Sequence, residues 1–160
     1  MIHYEIYPSP FGELGIAASE AGLVGIDLQA GQRPLPVKPG WQRGGSDLTA
    51  AAAAQLRAYF AGERQSFDLP LAAAGTPFQQ SVWRALCAIP FGETRSYRAL
   101  AEAIGNPRAV RAVARANGAN PLSIVVPCHR VIGADGTLTG YAGGLEMKAR
   151  LLALEGVLIG

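Results

Sequence analysis

Ser96-Tyr-Arg-Ala-Leu-Ala-Glu-Ala-Ile-Gly-Asn-Pro-Arg-Ala-Val-Arg-Ala-Val-Ala-Arg-Ala-Asn117 is the stretch on which the fold of the second half of the chain turns. Ser96 can cap a helix from Tyr97 to Ile104 that Gly105 ends. Asn106-Pro107 then caps and starts a further helix that runs to about Asn117, before Gly118. Two short helices joined by a tight Gly-Asn-Pro turn make a helix-turn-helix candidate, and an ordinary αα-corner has the same pattern. In the later helix Arg108, Arg111 and Arg115 recur at spacings of three and four and so share a face. Ala109, Ala112 and Ala116 keep part of its surface low. A helix this slim can press into a groove while its arginines reach phosphates or the base stack. It has no Asn or Gln in its first two turns to read base edges, which argues against a sequence-specific regulator.

Upstream, Thr76-Pro77-Phe78-Gln79 is a helix start with a capping hydroxyl, proline at the first position and glutamine at the third. That helix should reach about Ala88. Val82, Trp83, Leu86 and Ile89 form its apolar stripe, and Cys87 beside them reads as a core residue. Before it, Ile2, Tyr4 and Ile6, then Leu14 and Ile16, then Leu23 to Leu28 alternate as short strands. Residues 31–47 are rich in Gly and Pro and read as loop, Thr49 to about Ala61 as an alanine-rich helix, and Phe67, Leu69 and Leu71 as one more strand. The expected fold is α/β of the α+β kind. Residues 1–75 form a small structural domain with an antiparallel sheet, and residues 76–160 form a mainly helical domain.

Composition limits the function classes. Of 160 residues 49% are apolar and 16% charged, enough for a core and too apolar for a disordered chain. The N-terminus lacks a signal-peptide pattern and no apolar run reaches the ~20 residues of a membrane span, so a cytoplasmic protein with no membrane partner is expected. Cys87, Cys128, His3 and His129 lack paired zinc-ligand spacing, so no metal is expected. Neither G-x-G-x-x-G nor a P-loop is present, and no cofactor is expected. Net charge is +2, but residues 84–130 carry seven arginines against Glu93 and Glu102, a surplus of five. Charge concentrated this way fits a polyanion partner or a solvated helical face.

Downstream, Asn120-Pro121 precedes a short apolar strand, Leu122 to Val126, that ends at Pro127-Cys128-His129-Arg130. Thiolate is the nucleophilic form of cysteine, and neighbouring cations favour it. Cys128 followed by His129 and Arg130 fits that chemistry, and fits equally a small core residue that precedes a histidine.

The longer string Ile124-Val-Val-Pro-Cys-His-Arg-Val-Ile132, with Asn120-Pro121 before it and Gly140-Tyr-Ala-Gly-Gly144 after it, resembles the O6-alkylguanine-DNA alkyltransferases. The likeness runs from about Thr76 to Glu155 and includes Phe91-Gly-Glu-Thr-Arg-Ser-Tyr97, Gly105-Asn-Pro107 and Arg108-Ala-Val-Arg-Ala-Val113. Residues 1–75 fit that family's N-terminal domain only loosely. The resemblance implies a winged-helix-like helix-turn-helix in a monomer that meets double-stranded DNA containing O6-alkylguanine from the minor groove. It implies a single, irreversible alkyl transfer to Cys128, with O4-alkylthymine as a second substrate. His129 would act as base through a water and Glu155 would orient it. Tyr97 would donate toward guanine N3, and Asn120 would brace the helix pair against the cysteine strand. Arg111 would enter the base stack, with Arg108, Ala109, Ala112, Arg115 and Tyr97 along the DNA. The Cys128 and Val131 backbone and the Tyr141, Ala142 and Gly143 loop would enclose the base. Two rivals stand beside this reading: a lesion sensor with an idle cysteine, and a thiol hydrolase using Cys128 and His129.

Overall fold

The structure, a computed structural model, describes residues 1–29, 34–139, 141 and 144–157. The chain divides into two compact units: residues 1–74 with 121–123, and residues 75–120 with 124–160.

In the first unit β1 (His3–Tyr7), β2 (Leu14–Ala18) and β3 (Leu23–Leu28) pair antiparallel in a meander. A fourth strand, β4 (Gln42–Arg43), joins the free edge of β1 in parallel, so the order is β3-β2-β1-β4. The expected antiparallel sheet is thus extended by one parallel edge strand, and residues 31–47 are not loop throughout. Two polar residues carry no alternation for a pattern to detect. Helix α1 (Asp47–Phe60) starts at a capping box in which Ser46 and Thr49 exchange bonds. Its Ala52, Leu56 and Tyr59 join Ile16, Leu23 and Ile26 in the core. The strand expected around Phe67 to Leu71 does not form; Leu71 makes only an isolated bridge to Leu23.

In the second unit α2 (Pro77–Cys87) begins at Thr76 and Gln79 as the sequence signal predicts. α3 (Tyr97–Ala103) follows β5 (Arg95–Ser96) with the Ser96 hydroxyl as its cap. α4 is Val110–Gly118, and α5 is Leu145–Leu154. Val82, Leu86, Leu100, Val113 and Leu151 fill the core between them. The indole N–H of Trp83 donates to the Ala116 carbonyl at 2.9 Å, tying α2 to α4. Cys87 is exposed, not core. It follows Leu86 by one residue, a rotation of about 100° that carries it off the apolar stripe.

The α3–α4 turn differs from expectation in one respect. Gly105 sits at φ 77° and donates to Glu102, and the Asn106 N–H donates to Ala101. That is a Schellman closure of α3, which needs the left-handed conformation glycine adopts without steric cost. Asn106 is thereby spent on ending α3, so α4 begins three residues past Pro107, at Val110, and its N-cap Ala109 offers no side-chain cap.

The strand expected over Leu122 to Val126 is also absent. Leu122 bridges Ile26 within the first unit, and Ile124 turns the chain at φ 74° with its side chain buried. A β-branched residue in that region carries local strain of about 1–3 kcal/mol. Trp83→Phe removes the indole bond and leaves the Ala116 carbonyl with the Ala119 N–H, and should lower unfolding free energy by about 0.5–1.5 kcal/mol. Urea denaturation measures it, and an unchanged midpoint would remove the indole bond from the account.

Candidate active site

Cys128, His129 and Arg130 form one 3-10 turn, entered through the Cys128 N–H bond to the Val126 carbonyl at 2.8 Å. Asn120 donates through Nδ2 to that same Val126 carbonyl at 2.8 Å. It therefore links the end of α4 to the residues that feed the cysteine turn. Immediately after, β6 (Val131–Ile132) pairs in parallel with β5, Arg95 opposite Val131 and Ser96 opposite Ile132. That two-residue ladder sets Tyr97, first residue of α3, at a fixed register to the turn.

Cys128 is only 6% exposed and His129 is wholly buried. The His129 Nε2 lies 2.7 Å from Oε2 of Glu155, the residue that caps the end of α5. A carboxylate at that distance takes the imidazole proton on Nε2, which makes Nδ1 the lone-pair nitrogen. Nδ1 is buried and has no hydrogen-bond partner among the described residues. Burial is the largest influence on the ring and holds its pKa below the ordinary value, against the opposing pull of Glu155. Burial thus favours the neutral ring in the native protein.

Glu155 does more than orient the ring. It accepts from Arg130 Nε at 2.8 Å and from the second guanidinium arm at 3.0 Å, and from the Gly92 N–H at 3.1 Å. Arg130 also donates to the Ile89 carbonyl at 2.7 Å and lies over the Phe91 ring. Gly92 sits at φ 81°, and a Cβ there would stand 3.2 Å from the Glu155 carbonyl, so the close approach of this turn calls for glycine. Arg130 is consequently a buried structural cation and not part of the basic surface counted from the sequence.

Lys148 is a site residue that sequence reading missed. It is wholly buried on α5 and donates to the Val131 carbonyl at 2.6 Å and the Thr139 carbonyl at 2.8 Å. Burial brings its pKa down to about 8, while negative charge on Cys128 acts the other way. The signal for it was positional. Lys148 lies three and four residues before Leu151 and Leu152 on the buried stripe, where an unpaired lysine has no packing reason to be. Tyr97 is half-buried, and its hydroxyl lies 2.7 Å from that of Thr139.

Along α4, Arg111 and Arg115 are exposed one turn apart, and exposed Arg108 stands ahead of the helix in the turn. None of the three forms an ion pair among the described residues. Ala109 and Ala112 are half-buried, whereas Ala116 is buried and belongs to the core instead of a lowered surface. Val131 is buried, with its carbonyl already accepting from Lys148, and Tyr141 is buried too. Ala142 and Gly143 lie outside the described residues. No helix among the described residues is long and apolar enough to cross a membrane.

A helix-turn-helix beside a buried cysteine whose neighbouring histidine is held by a buried glutamate is the class of protein these features define. Residues 2–73 match the ribonuclease-like domain of 6-O-methylguanine DNA methyltransferase, and residues 77–157 match its DNA binding domain. The chain belongs to that family. The likeness extends through the N-terminal unit, beyond the limit at Thr76 read from the sequence. A methylated-DNA–protein-cysteine methyltransferase of Methanosarcina barkeri is 51% identical over 96% of this chain and 97% of its own length. One of Mycolicibacterium paratuberculosis is 52% identical over 97% and 93%. The crystal structure of Mycobacterium tuberculosis OGT in complex with DNA has a TM-score of 0.90 at 48% identity, covering 96% of this chain and 93% of that one.

Glu155→Ala would leave Arg130 buried without its counter-charge and should cost about 3–5 kcal/mol of unfolding free energy in urea. A loss under about 1 kcal/mol would contradict a buried pair. pH gives a second check. Unfolding frees His129 to bind a proton below its ordinary 6.5. The stability from the neutral ring is therefore present above that pH and lost as pH falls below it. His129→Gln should flatten the fall in unfolding free energy between about pH 7 and pH 5.

Proposed function

We propose that this chain repairs double-stranded DNA by moving the alkyl group of O6-alkylguanine onto Sγ of Cys128, once per molecule. The observation that carries the proposal is the buried turn in which Cys128 adjoins a neutral histidine held by Glu155. His129 Nδ1 takes the thiol proton through a water. The thiolate attacks the alkyl carbon in line, the S–C bond forms, and the C–O6 pair leaves with the guanine. The guanine takes up one proton, which balances the one the thiol gave up.

A buried sulfur cannot reach a base within the stack, so the damaged nucleotide rotates out of the duplex, at a cost of a few kcal/mol. α4 approaches from the minor groove, where Arg111 fills the vacated stack and Arg108 and Arg115 hold phosphates. Ala109 and Ala112 line the contact. Tyr97 donates to N3 of the departing guanine, where charge develops. Asn120 braces the cysteine turn through Val126, and the backbone of Cys128 and Val131 with the Tyr141, Ala142 and Gly143 segment encloses the base. O4-alkylthymine is a second substrate of the same pocket. The protein works as a monomer, in the cytoplasm.

Incubation with duplex DNA containing one O6-methylguanine should add one methylene, about 14 mass units, to Cys128 and stop at one equivalent. Cys128→Ser should show no such gain. Lesion binding without any mass gain on the unaltered protein would replace repair with damage sensing, and repeated turnover on a small substrate would point to a thiol hydrolase.

A further inference from the structure

Thr139 joins two functional groups that the sequence sets far apart. Its hydroxyl lies 2.7 Å from the Tyr97 hydroxyl, 42 residues away, and its carbonyl accepts from the buried Lys148 ammonium at 2.8 Å. The same ammonium donates to Val131, next to the cysteine turn and opposite Arg95 in the β5–β6 ladder. One threonine therefore ties the start of α3, the strand after the cysteine and α5 to a common point. Both hydroxyls carry one proton, and in the free protein either can be the donor.

We infer that Thr139 is a positioning residue for alkyl transfer, its hydroxyl donating to the Tyr97 phenol oxygen and aiming the phenol proton at the departing guanine. The inference rests on the role proposed above for Tyr97. Its logic is a proton count. A tyrosine hydroxyl has one hydrogen. Once that hydrogen is committed to guanine N3, the contact with Thr139 persists only if Thr139 donates. The chain Thr139 O–H to Tyr97 O–H to N3 is then cooperative, each bond polarising the next in a site of low dielectric. As the C–O6 bond breaks and negative charge grows on the guanine, the phenol oxygen becomes more negative and the Thr139 bond strengthens with it. No proton is gained or lost by Thr139. Lys148, by holding the Thr139 carbonyl, keeps the hydroxyl in register with Tyr97.

The test uses single-turnover methyl transfer from duplex DNA containing one O6-methylguanine. Thr139→Val keeps the side-chain shape and the backbone carbonyl but loses the hydroxyl. It should react roughly tenfold more slowly at saturating protein, the worth of one hydrogen bond, with a half-saturating concentration within about twofold of the parent. Thr139→Ser, which restores the hydroxyl, should come back to within about threefold of the parent. In a Tyr97→Phe background Thr139→Val should cost nothing further, because the two hydroxyls act in series. Thermal melting checks that each variant is folded, and Thr139→Ala replaces the valine if it fails to pack. Thr139→Val at the parent rate, or a full further loss in the Tyr97→Phe background, would overturn the inference. Tyr97→Phe as fast as the parent would overturn it too while leaving transfer to Cys128 standing. No transfer by the unaltered protein would defeat the parent reading itself.

Discussion

A single buried carboxylate, that of Glu155, is the constraint on which the rest of the catalytic unit depends. It gathers the His129 ring, both arms of Arg130 and the Gly92 N–H, and so joins the end of α5 to the cysteine turn and to the turn that follows α2. Desolvating a carboxylate and a guanidinium together is costly, and their attraction offsets that only when the geometry is good and the remaining polar positions are filled. Here the pairing is bidentate, and the spare guanidinium donor is spent on Ile89. The same contacts that hold three segments together also leave one nitrogen of His129 as the acceptor. Structure and proton chemistry are set by one group.

Lys148 solves the opposite problem in a different way. Its ammonium is buried with two backbone carbonyls for partners. Carbonyl dipoles offset burial less well than a carboxylate does, which is why its proton is held more loosely than that of an ordinary lysine. The two buried cations among the described residues of the unit therefore differ in kind: Arg130 is locked by a salt bridge, while Lys148 is held by backbone carbonyls alone.

Much of this architecture was legible in the chain. The Thr76–Gln79 box, the Ser96 cap and the β1–β3 alternation act locally, and each element formed where its residues placed it. The departures came where backbone bonds decided the outcome. Asn106 looked like a cap and was taken by the closure of α3, β4 is two polar residues recruited by the edge of β1, and Leu122 to Val126 is bent by the left-handed Ile124. In the site, Cys128 and His129 are visible as neighbours, but Glu155, Tyr97 and Asn120 stood out only through a longer shared pattern. Nothing in a lone threonine announces Thr139, and the position of Lys148 on an apolar stripe marks it as unusual without naming its partners. Their roles arise from contacts made across 42 and 17 residues.

The fate of the arginines has a consequence for how firmly the protein holds its target. Of the seven between residues 84 and 130, Arg130 is buried on Glu155, and Arg95 and Arg98 are matched by Glu93 and Glu102. Arg84 is exposed on α2, and on the reading proposed above Arg111 enters the base stack, which leaves Arg108 and Arg115 to hold phosphates. Each phosphate neutralised releases close to one condensed counterion, so two such contacts give a log–log salt dependence with a slope of roughly −2. A protein that must inspect a great length of intact duplex for each damaged base is served by so light an ionic hold, because counterions returning to the DNA can displace it from every site where no lesion leaves the stack.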